Sequence, residues 1–382
     1  MAQDRPESAG PEAVDQGDLV RLTASGLVLL AQRDAAVLRE GASPYPPVLQ
    51  RVLNRLTLES WNAGRIPPQD MTDLVRWCRK PLKEWPFPLP DGLVAEDEPL
   101  VTEAGPTQLC LSLALSAGNP ELEVVQNRLM GEAVRRCREQ GLQAAYEALR
   151  RLCVREPILD ARRWAKVQRT AVLEPVMDLV AQFYLPVPSA LQVHGIFAAC
   201  KSCCGLMSPR SRGGWICALD QCRLGGTWRR VGTRYAADKP LWMLRTALRL
   251  YTHGPGLAET QLEDALRMPG VVAVLMWPGV DLVDLLVVFA DGTCWAIDVK
   301  DHANPDLLAE GLHRFPRGEP LPPYRRAIVA VPQYRIDRAH GYLERVRSLR
   351  PRAEFGFEVL SVDDVVRQAA RLASRVSRSS HA

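Results

Sequence analysis

The sequence predicts a multidomain protein of the α + α/β class: a helical N-terminal region, a small Cys-rich module, and a C-terminal α/β domain around a mixed central sheet. Three observations predict it. Leucines recur at helical spacing, broken by prolines, through residues 18–190. Five of the ten cysteines fall between Cys200 and Cys222. Helical and alternating apolar patterns then succeed one another through residues 236–376, as in an α/β domain. The 382 residues suffice for two or three domains, each able to bury a core. Apolar residues are 47% and charged residues 24%, which excludes a wholly disordered or fibrous chain. The net charge of +4 decides nothing globally. No apolar run approaches the ~20 residues of a membrane span.

Residues 1–17 are polar and acidic, without the charged-then-apolar pattern of a secretory signal, and read as a disordered tail on a cytoplasmic protein. In residues 18–190, Leu19, Leu22, Leu27, Leu29 and Leu30 predict a helix over 18–34, and Leu49, Val52, Leu53 and Leu56 one over 48–61. Longer helices fit 121–154 and 160–183. The first carries the pairs Arg135/Arg136 and Arg150/Arg151, which read as a solvated face or as a partner or nucleic-acid surface. Trp61, Trp77, Trp85 and Trp164 read as core. Among nucleotide-binding fingerprints, neither GxxxxGK[ST] nor GxGxxG occurs, which argues against a nucleotide-driven motor or a dinucleotide enzyme.

Residues 191–235 form the basic Cys-rich module. Cys200, Cys203, Cys217 and Cys222 follow the pattern C-x2-C-x13-C-x4-C. In a large chain without an export signal, clustered thiols point to metal before disulfides. Four thiolates satisfy tetrahedral zinc and leave no open position for water, so the expected Zn2+ is structural. Cys204 is a substitute for Cys203, and His194 a further spare ligand. Residues 200–235 hold seven basic side chains against Asp220 alone, interleaved with Trp215 and Trp228, a composition that suits nucleic-acid contact or simple solvation.

The C-terminal domain, residues 236–376, is expected to run α-β-β-β-α-β-α-β-α before a polar tail at 377–382. A helix over 256–268 carries Glu259 and Glu263 at i and i+4. Strands follow over 271–276, 282–290 and 293–300, the last two joined at Asp291-Gly292, a strong hairpin signal. Asp298 and Lys300 share a strand face. A strict two-residue turn would pair residue 284 with 299 and turn Asp284 away, leaving Asp281 as the alternative. A three-residue loop with a Gly bulge would pair 284 with 298 and bring two carboxylates and an ammonium together. Two carboxylates repel unless a cation lies between them, and such a hard-oxygen site suits Mg2+. A lysine beside it can polarise a water, so the chemistry indicated is phosphodiester hydrolysis. Eight arginines against two acidic residues within 325–352 offer a phosphate-contacting surface or a solvated face.

With these residues the domain resembles the PD-(D/E)XK restriction-endonuclease-like superfamily over about residues 240–376. The resemblance implies that Asp284 and Asp298 bind Mg2+ (or Mn2+), that Lys300 assists the water, and that Glu259, or Glu263 in its place, completes the site. Val283 stands where the family name has Pro, and Asp298 where Glu is common. The whole chain also resembles the endonuclease subunit that accompanies prokaryotic PIWI-like proteins of the PIWI-RE type, through the stretch from Leu74 to Pro86 and the Cys module. That resemblance implies a restriction-endonuclease-like domain in an antiviral defence system, acting on DNA or R-loops with a PIWI-like protein and a helicase. Double-strand cutting with one site per chain would favour a homodimer or a partner. The competing reading is a catalytically inactive, zinc-bearing nucleic-acid-binding or adaptor subunit.

Overall fold

The computed structural model describes residues 16–32, 44–85, 89, 97–117, 120–210 and 212–379. Most of the expected N-terminal tail lies outside them, and its last two residues already belong to the helix Gln16–Gln32. This helix packs with Pro47–Asn62 and Gln108–Ser116 around a core that runs from Leu19 to Ala114 and receives Leu250 and Leu307 from later in the chain. Trp61 is not in that core but 66% exposed, whereas Trp77 and Trp85 pack ring to ring at 4.6 Å. Trp164 stacks on Trp242 at 5.2 Å.

The single helix expected over 121–154 is two, α1 (Pro120–Glu139) and α2 (Gln143–Arg155). Between them Gly141 adopts φ +67°, the left-handed region in which glycine ends helices. The helix expected over 160–183 is likewise divided, and Pro175, which has no N–H to continue an α-helical ladder, lies in the 3-10 stretch between the pieces. The pieces are Ala161–Gln168, a 3-10 turn, and Met177–Phe183. Two short strands in this region, Ile158–Asp160 and Tyr184–Pro186, flank Leu241–Leu244 in a small antiparallel sheet that helical spacing did not reveal.

The C-terminal domain follows the expected order closely. Helix α3 (Gly254–Leu266) leads into β1 (Val271–Met276), β2 (Leu285–Phe289), β3 (Cys294–Val299), β4 (Arg326–Val331) and β5 (Glu358–Ser361), and α4 (Val362–Ser379) closes it. The five strands lie in the order β1-β2-β3-β4-β5, antiparallel through β3 and parallel from β3 to β5, so the sheet is mixed. Strand alternation divides the apolar residues between two layers. Leu285, Val287 and Ile297 pack with Leu262 of α3 and Val365 of α4. Leu286, Ala296 and Val329 pack with Leu308 and Val346 of two helices on the other face. Helix α4 extends three residues into the expected tail, because Val365, Ala369, Ala373 and Val376 continue its buried stripe.

The expected division at residue 190 does not coincide with a division of the core. Ala133 of α1 and Tyr146, Leu149 and Cys153 of α2 lie in the same buried cluster as Leu262, Leu285, Ile297 and Val365. Helices α1 and α2 are therefore structural parts of the α/β domain that follows them about a hundred residues later.

Register places the candidate site. Leu285 pairs with Ile297, Leu286 with Ala296, Val287 with Trp295 and Val288 with Cys294. The loop is the three-residue one, Ala290-Asp291-Gly292, with Phe289 N–H donating to Thr293 O at 2.9 Å and Gly292 at φ +79°. That left-handed glycine is the bulge residue of a three-residue hairpin loop. One residue beyond the ladder, Asp284 stands opposite Asp298.

Candidate active site and metal centre

Asp284 lies just before β2 and Asp298 near the end of β3, and their backbones lock them together. The Asp284 N–H donates to Asp298 Oδ1 at 3.2 Å, and the Val299 N–H donates to Asp284 Oδ2 at 2.7 Å. Lys300 Nζ lies 3.2 Å from Asp298 Oδ2 and 3.9 Å from Asp284 Oδ2. Glu259 projects from α3 into the same place, 2% exposed, and accepts the Trp277 indole N–H. Glu263, one turn on, points elsewhere: Arg151 holds both its oxygens at 2.7 Å and Arg267 adds a third contact at 2.6 Å. Asp281 shares the cavity with Asp284, so the two sequence alternatives stand side by side. The cavity measures about 520 Å³ and is lined by Glu259, Asp281, Asp284, Asp298 and Lys300 together with Arg150.

Arg150 is the residue that sequence reasoning missed. Helix α2 carries it into the cavity, where Nη2 donates to both Glu259 oxygens at 3.0 and 3.1 Å. Its Nη1 donates to Asp281 Oδ1 and, at 3.1 Å, to the Tyr146 hydroxyl. The guanidinium lies 5.0 Å from the Trp277 ring centre and 3.9 Å from Asp284 Oδ1. The Arg150/Arg151 pair is therefore neither a solvated face nor a partner surface; the two arginines clasp the two glutamates of α3. A signal was present. Arg150 falls on the stripe Tyr146, Leu149, Cys153, the buried side of α2, where a lone arginine needs a carboxylate partner.

The connection from β1 to β2 is strained where it meets the site. Trp277, Val280 and Asp281 have φ of +47°, +56° and +71°, which costs non-glycine residues about 1–3 kcal/mol each. Helices α1 and α2 with the turn between them hold it in place. Gln143 Nε2 donates to Trp277 O at 3.1 Å, Gln143 Oε1 accepts from Val280 N–H at 2.8 Å, and Arg138 Nε donates to Val280 O at 3.1 Å.

Burial and crowding set the charges. Burial, then the neighbouring Glu259, drives the Asp284 carboxyl well above the usual range. Burial also raises Glu259, against the pull of Arg150. Burial alone would lower Lys300, but Asp284 and Asp298 outweigh it and hold the ammonium above its ordinary value. His302 is lowered to about 4 by burial and by Lys300. The electrostatic strain on Asp284 is what a cation between the carboxylates would relieve, so the donor set fits a hard divalent ion.

The arginines of 325–352 are mostly committed within the fold. Arg326 binds Glu358 at 2.8 Å, Arg338 binds Glu98 at 3.1 Å, and Arg345 binds Asp306 at 2.6 Å. Arg335 is 2% exposed and joins Asp301, next to Lys300, to Asp220 of the Cys module. Arg335 is thus taken out of the expected basic surface, while Arg338 and Arg345 stay about half exposed beside their partners.

In the module, the Sγ atoms of Cys200, Cys203, Cys217 and Cys222 all lie within 4.8 Å of one another, and all four residues are buried. The Cys200–Cys222 and Cys203–Cys217 separations are 3.8 and 3.5 Å. A tetrahedron with ~2.3 Å Zn–S bonds has edges of about 3.8 Å, so the four thiols fit zinc. Cys204 is exposed and His194 stands outside the cluster.

The comparisons bear on both ends of the chain. Residues 19–160 match the family model of the pPIWI_RE three-gene island domain Y. Residues 256–376 match that of a REase associating with pPIWI_RE. The class these matches point to is a chain similar, in two separate segments, to the pPIWI_RE island's domain Y and to its associated REase. The resemblance to the endonuclease subunit that accompanies PIWI-RE proteins holds. No curated protein and no solved structure matches the chain. Among the described residues no helix is long and apolar enough to cross a membrane.

Proposed function

We propose that the chain is a metal-dependent endonuclease of the PD-(D/E)XK type. It hydrolyses DNA phosphodiesters within a pPIWI_RE defence island, alongside a PIWI-like protein. One observation supports this most: the β2–β3 register that sets Asp284 against Asp298, with Lys300 Nζ 3.2 Å from Asp298. Asp284 and Asp298 would hold Mg2+ or Mn2+, which lowers the pKa of a water and offsets charge on the phosphate oxygens. Lys300, kept protonated by the two carboxylates, donates a hydrogen bond that orients the attacking water or steadies the scissile phosphate. Glu259, neutralised by Arg150, fixes the rear wall of the cavity. Water attacks phosphorus, the bond to the departing oxygen breaks, and that oxygen takes up a proton. The four cysteines hold structural Zn2+, which staples the module.

The test is cleavage of plasmid and R-loop DNA with Mg2+ or Mn2+, beside Lys300→Ala. Metal-dependent cutting that disappears in the variant supports the proposal. Cutting that persists in Lys300→Ala places the activity elsewhere. No cutting by zinc-loaded protein, with or without the island's other proteins, leaves the adaptor reading in its place.

A further inference from the structure

We propose that Arg150 is a positioning residue of the REase site, supplied by the domain Y segment, and that it restricts the site to one divalent ion. The inference rests on the nuclease reading above and adds to it a residue outside the REase match. Arg150 belongs to the segment matching domain Y, whereas Glu259, Asp281, Asp284, Asp298 and Lys300 all belong to the segment matching the REase.

Charge makes the argument. Glu259, Asp281, Asp284 and Asp298 bring four formal negative charges into one cavity, and Arg150 and Lys300 bring two positive ones. Asp301 also lines it but is neutralised by Arg335 at 2.6 Å. The remainder is −2, which one divalent cation balances. Geometry divides the carboxylates the same way. Arg150 occupies both oxygens of Glu259 and one oxygen of Asp281. Asp284 and Asp298 are left, locked to each other through the backbone N–H groups of residues 284 and 299.

The guanidinium also fits the shape of the place it fills. The flat guanidinium forks between Glu259 and Asp281 while its face lies over Trp277. The Tyr146 hydroxyl accepts a hydrogen bond from the same Nη1 and anchors it from its own helix, one turn away. Without the guanidinium, Glu259 and Asp281 would carry two unpaired charges beside Asp284, and a second divalent ion is the natural counter-charge.

The experiment is Mn2+ binding to the zinc-loaded full chain, read from the loss of the free-ion paramagnetic resonance signal, for wild type and Arg150→Gln. The expected result is one Mn2+ per chain for wild type and two for Arg150→Gln, with Arg150→Lys remaining at one. One ion of unchanged affinity in Arg150→Gln would overturn the inference and leave the nuclease reading intact. Two ions in wild type would overturn it as well. No Mn2+ in wild type would overturn the nuclease reading itself and this inference with it. If circular dichroism shows Arg150→Gln unfolded, Asp281→Asn decides. It removes one negative charge but leaves the guanidinium, so Mn2+ affinity should fall roughly tenfold or more, and wild-type affinity there would overturn the inference.

Discussion

The four-cysteine cluster and the carboxylate cavity are built on opposite plans. All four thiols come from residues 200–222, and the geometry needed to bring them together is local. The cavity draws on a helix, a strained loop, two strand ends, and an arginine that precedes the nearest carboxylate by more than a hundred residues. A metal site built from one short segment needs only its own loops to form. A site built from distant segments forms only when the whole core has packed. The two are nevertheless joined: Asp220, two residues before Cys222, binds Arg335, which binds Asp301, which follows Lys300.

Experiments can separate the two plans. The largest effect should come from Asp298→Ala or Lys300→Ala. Each is expected to lower cleavage by about a hundredfold or more while the zinc content stays unchanged, measured by plasmid cutting and metal analysis. Next is Cys222→Ser, which should strip the zinc and lower the Tm by roughly 10 °C or more, whereas Cys204→Ser should keep both at wild-type values. Breaking the bridge comes third. Arg335→Ala leaves Asp301 without its buried cation, while Asp220 keeps Arg223 at 3.1 Å, and should cost about 3–5 kcal/mol in denaturant unfolding. Zinc retained in that variant, at pH 7 in its folded state, would show the cluster to be as independent as its spacing implies.

The smallest effect is a pH dependence. The His302 pKa is about 4 in the folded protein, below the ordinary value near 6.5, through burial and the Lys300 ammonium. Below about 6.5 the unfolded chain therefore binds a proton that the folded chain refuses. Stability is full above that pH and falls progressively as pH drops toward 4. Thermal melts from pH 7 to 4.5 should show a shallower decline in His302→Asn.

The contrast also explains what the sequence could disclose. The cysteine spacing was legible because its thiols are near neighbours, and the burial of Cys203 against the exposure of Cys204 is all the structure had to add. The order of elements in the α/β domain was legible because periods of 2 and 3.6 are local properties. The choice between Glu259 and Glu263 was not, since both lie on the buried side of α3 and only the reach of Arg150 and Arg151 separates them. Nor was the union of α1 and α2 with the later domain legible, because an amphipathic stripe states that a face is buried and not against what. Trp61 was misplaced for a related reason: its helix has an apolar face, but that residue lies off it.

The loop at Ala290-Asp291-Gly292 carries a constraint of parity. It lies six residues from Asp284, roughly 20 Å along an extended strand, and touches nothing in the cavity. Its residue count nevertheless decides which face Asp284 is on, because a strand changes sides with every residue. Substitutions there are free as long as a left-handed φ remains at position 292. A loss or gain of one residue would require the two carboxylates to part or the strand to take up a new bulge. In a lineage of such chains, this surface loop should vary in letters and hold its length, as strictly as the two carboxylates it aligns.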